Sequence, residues 1–496
     1  MKLVALKSAA ASIALFCGSA AFAQHEGHQM PMPETPAPAP AQETPPSHDH
    51  SQMQPTEESQ PAEAADPHAG QDMGKMEQHA PAADPHAGHD MEAMTASDEM
   101  TTHGGPMSGA GALGTYPMNR EASGTAWQPD TSEHGGLHVM SGDWSFMFHG
   151  NLDLIHSWQE EPRGDSKTFV AGMLMGMARR PIGDGTFQFR AMVSPDPLIG
   201  KKGYPLLLAS GETADGVEPL VDRQHPHDFF MELSASISQS VGPKTSLFLY
   251  GGLPGEPAFG PPAFMHRQSI SVSPEAPISH HWLDSTHITF GVLTGGLVHD
   301  TLKLEVSRFN GREPDEHRWD IETGPLDSTS VRLSWNPTET LSLQGSWAHL
   351  EEPEQLEPGV NQRRWSASGT WTVPMTDGWW STSLAWGRKT LEGESYDAFA
   401  LESSVNWKDW VMFGRGEISE NNELLVHHDD EEEDHHGEAF RVGKISVGLL
   451  REFEVARNLK LGIGGLYAFN FVPDELEHEY GGDPDGAMAF VRLKLD

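Results

Sequence analysis

Metal-ligating side chains are concentrated in one early stretch of the chain, from residue 24 to residue 107. This stretch contains nine histidines and nine methionines but no cysteine. Thioether sulfur is a soft ligand that selects Cu(I), whereas imidazole also serves Cu(II), Zn(II) and Ni(II). The composition therefore predicts that the stretch binds copper ions, with other divalent metals as alternatives.

The spacing of these ligands is repeated along the stretch. Residues 64–76 and 82–94 share Ala-Ala-Asp-Pro-His-Ala-Gly, and each continues with Asp-Met-x-x-Met. A segment that serves only as a solvated linker does not require methionines at fixed spacing. The repeat therefore favours a role as metal ligands over an incidental occurrence of His and Met. The predicted ligands are His68, Asp72, Met73, Met76, His86, His89, Asp90, Met91 and Met94.

Two further groups of ligand-type residues occur later in the chain. In the first group Pro226 stiffens the backbone between His225 and His227. These two histidines and Asp228 are predicted to line a pore and bind metal, or else to anchor a loop. In the second group, four histidines flank six consecutive carboxylates, which could hold a divalent cation or form only a solvated loop. Those histidines are His427, His428, His435 and His436.

The N-terminal sequence and the net charge limit the class of protein to which the chain can belong. Residues 1–23 have the form of a secretory signal peptide, with Lys2 and Lys7 preceding an apolar run and an Ala-Phe-Ala end. The formal net charge is −40 over 496 residues, and removal of this peptide would bring it near −42 and remove the only cysteine, Cys17. Such a charge argues against nucleic acid as a partner and favours attraction of cations.

Residues 24–111 are a single compositional block without Leu, Ile, Val, Phe, Tyr or Trp. A block that buries so little apolar surface cannot offset the entropy of ordering, so we predict a disordered arm. Residues 112–142, which carry several Gly and Pro residues, are predicted to be a linker.

From residue 143 apolar and polar side chains alternate with period two, which predicts strands. About sixteen such runs span residues 143–496, one of them at residues 286–295, and short turns alternate with long loops between them. A soluble β-sandwich would also alternate, but its outer faces would be polar, whereas these are apolar and rich in aromatic residues. We therefore predict an all-β fold, a transmembrane antiparallel β-barrel in the outer membrane of a Gram-negative bacterium, with the arm in the periplasm.

The alternation also assigns side chains to the two faces of the predicted wall. Met173, Met175 and Met177 share a face with Phe169, which predicts that they face lipid. The side chains predicted to face the lumen are His149, Asn151, Asp153, Gln188, Arg190, Glu232, Lys303, Glu305, Arg415, Glu417, Lys444, Arg492 and Lys494.

The signal peptide, the His/Met arm with its repeats at 66–76 and 84–94, and the barrel together resemble the copper resistance protein B family. The resemblance implies a role in copper tolerance, either by sequestering copper or by passing it through the outer membrane. It also makes a periplasmic metal-handling protein a possible partner.

A second hypothesis is a general diffusion porin whose arm tethers a periplasmic partner. No Gly-x-Ser-x-Gly, His-Glu-x-x-His or P-loop sequence is present, and the chain is therefore expected not to be an enzyme.

Overall fold

The computed structural model describes residues 109–133, 135–425 and 438–495. The predicted signal peptide and nearly all of the predicted arm lie outside these residues. The described part is dominated by one antiparallel sheet, sixteen strands of which pair in a closed ring. The predicted transmembrane β-barrel is therefore confirmed.

The strands are β1 Leu137–Ser141, β2 Trp144–Gln159, β3 Ser166–Ile182, β4 Gly185–Val193, β5 Tyr204–Thr213, β6 Pro219–Gln224, β7 Phe230–Gly242, β8 Thr245–Gly252, β9 Val292–His299, β10 Leu302–Phe309, β11 Ser328–Thr338, β12 Leu341–Leu350, β13 Gln362–Met375, β14 Gly378–Leu391, β15 Glu394–Trp407, β16 Trp410–Asn421, β17 Phe440–Ala456, β18 Leu459–Phe471 and β19 Asp485–Leu495. The short helices are α1 His280–Leu283 and α2 Glu477–Tyr480. Single 3-10 turns occur at Met118–Arg120, Asp196–Ile199, Phe264–His266, Ser285–His287 and Asp474–Leu476.

The ring closes where β19 pairs with β2, in a register that runs from Gly486↔Gln159 to Leu495↔Gly150. We call this pair the seam. An ion pair crosses it, with Arg492 Nε 2.7 Å from Asp153 Oδ1. Consecutive wall strands are joined by tight turns at one end, the short-turn end. At the other end, the long-loop end, the connections are longer, except for the two-residue turn between β14 and β15. Strands β2 and β19 respectively begin and end at the short-turn end, as an even number of strands requires.

The wall has an apolar outer face and a mainly polar inner face, as the alternation predicts. Leu384, Ile463 and Leu154 are each more than half exposed on the outside. Of the side chains predicted to face inward, ten are buried in the lumen and His149, Asn151 and Lys494 line a cavity there. No helix among the described residues has the length and apolar character that crossing a membrane requires.

The predicted strand at residues 286–295 is partly wrong. Its first residues form the turn Ser285–His287, and the wall strand β9 begins only at Val292. Three strands were not predicted. Strand β1 pairs with the first residues of β2, and the hairpin of β5 and β6 belongs to the long connection between β4 and β7.

The lumen is filled from the short-turn end by residues 109–133, which we call the inner segment. Trp127 is buried there and packs edge-on against Tyr116, with ring centroids 5.0 Å apart. Arg332 of the wall donates a hydrogen bond to Thr125 Oγ1 at 2.9 Å. The sequence predicted a linker here, but the segment is ordered because its few large apolar residues find partners inside the barrel.

From the long-loop end the lumen is filled by the β5–β6 hairpin and by residues 253–291, which we call the inner loop. Leu206 of the hairpin and Ile270 of the inner loop pack in one cluster with wall residues that include Phe413 and Phe490. The lumen therefore contains more apolar packing than its many charged residues suggest, because the hairpin and the inner loop supply apolar partners for inward aromatic side chains.

The prediction that the methionine stripe faces lipid is wrong. Met175 is only 3% exposed, and Met173, Met175 and Met177 all line the lumenal cavity. Phe169, on the same face, stacks on Tyr204 of the hairpin with ring centroids 4.5 Å apart. Apolar residues indicate a lipid-facing side only if the lumen holds nothing apolar, and here the hairpin and the inner loop occupy it.

Candidate functional site

The long-loop half of the lumen contains a group of five buried or nearly buried histidines. His225 and His227 come from the connection that follows β6, and the inner loop contributes His280, His281 and His287. Neighbouring ring centroids lie between 5.2 and 6.1 Å apart. The structure therefore brings the predicted His225, His227 and Asp228 together with three imidazoles that are more than fifty residues away in sequence.

Three of these rings are held by hydrogen bonds from Nδ1. Nδ1–H of His227 donates to Asp196 Oδ2 at 2.8 Å. Nδ1–H of His280 donates to Asp284 Oδ1 at 2.8 Å. Nδ1–H of His287 donates to the backbone carbonyl oxygen of Asp284 at 2.7 Å. Because carbonyl and carboxylate oxygens only accept, each of these rings in its neutral form carries the proton on Nδ1 and a lone pair on Nε2.

This arrangement is the one that metal-binding histidines commonly show, with the ring oriented through its second nitrogen. The Nε2 atoms of His227 and His287 are buried and have no hydrogen-bond partner among the described residues. Burial lowers the pKa of His280 and lowers that of His287 well below its ordinary value. Neutral rings with an unused lone pair are the state that a borderline metal ion binds.

Acidic groups border the histidines on the side of β5. Arg318 forms ion pairs with Glu212 and with Asp228, the latter at 3.2 Å. His225 Nε2 lies 3.1 Å from Glu212 Oε1. Burial raises the pKa of Asp228 to about 6 and that of Glu212 to about 7, against the opposing effect of Arg318. These carboxyl groups can therefore exchange protons near neutral pH.

A second ligand set adjoins the cluster. Ligand atoms of His281, Glu313 and Glu354 all lie within 4.8 Å of one another. Burial opposes a charge on His281, but Glu313 raises the pKa of that ring to about 9. Burial and the neighbouring Glu313 raise the pKa of Glu354 to about 8, while that of Glu313 is lowered through His281. One imidazole and two carboxylates suit a divalent cation that displaces these protons.

The inner loop holds this geometry through one buried guanidinium. Arg267 contacts Asp284 Oδ2 at 2.6 Å and Glu402 Oε1 of the wall at 2.7 Å. Gly211 of the hairpin passes close to His281, and a Cβ at that position would stand 2.4 Å from the ring. A larger residue at 211 would therefore push the ring out of place.

The other predicted metal ligands lie outside the described residues. These are His68, Asp72, Met73, Met76, His86, His89, Asp90, Met91, Met94, His427, His428, His435 and His436. His287, Asp284 and Glu212 were not predicted from the sequence to belong to a site. The Asp that follows His280 by four residues was the available signal for an anchored imidazole.

No protein-family model and no curated protein matches the sequence. Among solved structures, the chain is similar to Salmonella typhi OmpF in complex with daunomycin, at 11% identity and a TM-score of 0.47, over 72% of this chain and 99% of that one. It is also similar to OmpT, an outer membrane protein of Vibrio cholerae, at 7% identity and a TM-score of 0.40, over 72% and 99% of the chains. A third similar structure is the anion-selective porin from Comamonas acidovorans, at 10% identity and a TM-score of 0.39, over 71% and 99%. These likenesses carry no inference about a substrate.

Proposed function

We propose that the chain is a narrow channel of the outer membrane that carries transition-metal cations. The observation that carries this proposal is the lumenal group of His227, His280 and His287, each fixed through Nδ1. A barrel of sixteen strands is wide enough for an aqueous path. Because the inner segment and the inner loop occupy much of that path, the channel should exclude large hydrophilic solutes and pass small ions.

Copper is the cargo that we propose, in keeping with a role in copper tolerance. Imidazole is a ligand for Cu(II), and the histidines and methionines of residues 24–107 would add ligands for both oxidation states. The strong negative charge of the chain would raise the local concentration of cations at either mouth. The short-turn end would face the periplasm, where a metal-handling protein could deliver or receive the ion.

The test is transport by the full-length protein in liposomes that contain a metal-sensitive dye. We expect entry of Zn(II) and Cu(II), and little swelling of the liposomes in small sugars. Replacement of His227 and His287 by alanine should abolish metal entry. The matched control is His478→Ala, because His478 is exposed on α2. Metal entry that is unchanged in the double variant would contradict the proposal.

Growth in copper tests the cellular role. A strain that lacks the gene should be more sensitive to copper, and the full-length protein should restore growth. A variant without residues 24–107 then separates the contribution of the predicted arm from that of the lumen. Equal copper tolerance with and without the gene would rule out copper as the cargo.

A general diffusion porin with a partner-binding arm is the second candidate. The closed ring of sixteen strands favours it, since barrels of this size often form open pores. The inner segment and the inner loop argue against it, because they narrow the lumen. Rapid swelling of the liposomes in sugars, without selectivity for metal ions, would decide in favour of this candidate.

A further inference from the structure

A cavity of about 260 Å³ lies in the short-turn half of the lumen, away from the five histidines. Wall strands β2 and β3 and the inner loop supply much of its lining. The sulfur-bearing members include the stripe Met173, Met175 and Met177 and also Met265, and the imidazoles are His149 and His266. Nothing in the proposed metal path accounts for so many thioethers around one space.

One contact in this cavity joins an imidazole to a thioether. His149 Nε2 lies 3.2 Å from Met175 Sδ, and the rings of His149 and His266 are 6.3 Å apart. Met175 belongs to a buried cluster against which Met173, Met177 and Met265 pack. Several flexible thioethers are therefore within reach of one fixed sulfur–imidazole pair.

Most charged groups that border the cavity have an ion-pair partner, in most cases a residue that does not line it. Arg492 is bound to Asp153 across the seam, and Glu121 is bound to Arg179 at 2.6 Å. The donors that the lining offers to a soft ion are the neutral thioether sulfurs and the imidazole nitrogens. A hard divalent cation gains little from such a set, whereas a soft monovalent cation is well matched to it.

We propose that this cavity is a binding site for one soft monovalent metal cation, Cu(I) or Ag(I). Met175 and His149 are its fixed ligands, and the thioethers of Met173, Met177 and Met265 complete the coordination. Methionine has three rotatable side-chain bonds, so these residues can close around the ion without a change in the wall. The site is separate from the histidine cluster and stands even if that cluster binds no metal.

The experiment measures methionine oxidation in the full-length protein, with Ag(I) as the probe because it does not change oxidation state. Peroxide converts thioethers to sulfoxides, and mass spectrometry of peptides reports each methionine separately from those of residues 24–107. Silver at roughly ten times the Kd should slow oxidation of Met173 and Met177 roughly tenfold. Met412, exposed on the outer face, should oxidise at the same rate with and without silver.

Two variants make the result specific. Met175→Leu conserves side-chain volume, so that the barrel should still fold, and it should abolish the protection by silver. Met192→Leu is the matched control, because Met192 is buried in the same cluster but does not line the cavity. Equal oxidation with and without silver in the wild type would overturn the proposal, and so would protection that survives in Met175→Leu. Neither result would affect the channel proposal, which is tested with divalent ions and His227.

Discussion

The two halves of the lumen present different ligand chemistry. At the long-loop end, imidazoles are fixed by hydrogen bonds to Asp196 and Asp284 and stand beside carboxylates. At the short-turn end, thioethers on β3 line a cavity in which His149 Nε2 contacts Met175 Sδ. The first arrangement is rigid and suits borderline divalent ions, and the second is adaptable and suits soft monovalent ones. Under the two proposals, one barrel would bind two kinds of metal ion without any thiolate ligand.

The largest effect is expected where the two halves are mechanically joined. Arg267 follows Met265 and His266 in the chain and also holds Asp284. Its replacement by alanine removes the guanidinium partner of two buried carboxylates, Asp284 and Glu402. Breaking a buried ion pair in this way costs about 3–5 kcal/mol. We expect a lower unfolding temperature in detergent together with loss of both metal responses.

The control for this change is Arg441→Ala. Arg441 pairs with Glu420, but its side chain is 72% exposed, so the loss should be only about 0–1 kcal/mol. Similar unfolding temperatures for the two variants would show that the inner loop does not depend on the buried guanidinium.

The second prediction concerns Zn(II), which should bind in the long-loop half of the lumen and not in the short-turn half. In planar bilayers, the Zn(II) concentration that half-blocks the potassium current should rise in the His227→Ala, His287→Ala double variant. The rise should exceed about a hundredfold, since loss of outer-shell partners alone costs up to that much. Met175→Leu should leave this concentration unchanged. If both variants shift the block equally, the lumen holds one site rather than two.

The third prediction concerns the orientation of one ring. Asp196→Asn removes the charge that holds Nδ1–H of His227 and should weaken the Zn(II) block about tenfold. The response to Ag(I) should be unchanged. Asp215→Asn, in the turn between β5 and β6, is the control, and an equal effect there would point to hairpin stability instead of ring orientation.

The smallest expected effect is a difference in how readily a reagent in solution reaches the two halves of the lumen. The mature chain is expected to contain no cysteine, so a single introduced thiol can be followed with a maleimide. Met177→Cys, beside the cavity, should react faster than His287→Cys, because His287 is deeply buried among the histidines. Faster reaction at position 287 would mean that the long-loop end is the more open one.

The wall of the barrel could be predicted from the sequence, because a strand with lipid on one face and the lumen on the other must alternate. The sixteen wall strands and most of their inward side chains followed from that rule alone. The contents of the lumen did not follow from it. Arg179 lies on the same face as Met175 and binds Glu121 inside the barrel, and this charge was the signal that the stripe faces inward.

The candidate site could be predicted only in part. A His-Pro-His-Asp stretch in a long loop indicated His225, His227 and Asp228 as possible lumen residues. Their partners come from other connections, and no local pattern links His227 to His287. Such a cluster depends on how two loops fold into the same space. The alternation of apolar and polar residues and the composition of the sequence do not encode that arrangement.

The seam has a consequence for assembly. Asp153 and Arg492 are 339 positions apart in the chain, so the last hydrogen bonds of the wall join its most distant parts. The entropy of closing so large a loop must be overcome before the pairing repays it, which makes closure slow and late. Until then β2 and β19 are open sheet edges, the kind of surface on which strands of other chains add. A catalyst of membrane insertion that shields these two edges would therefore protect the nascent barrel at its most aggregation-prone stage.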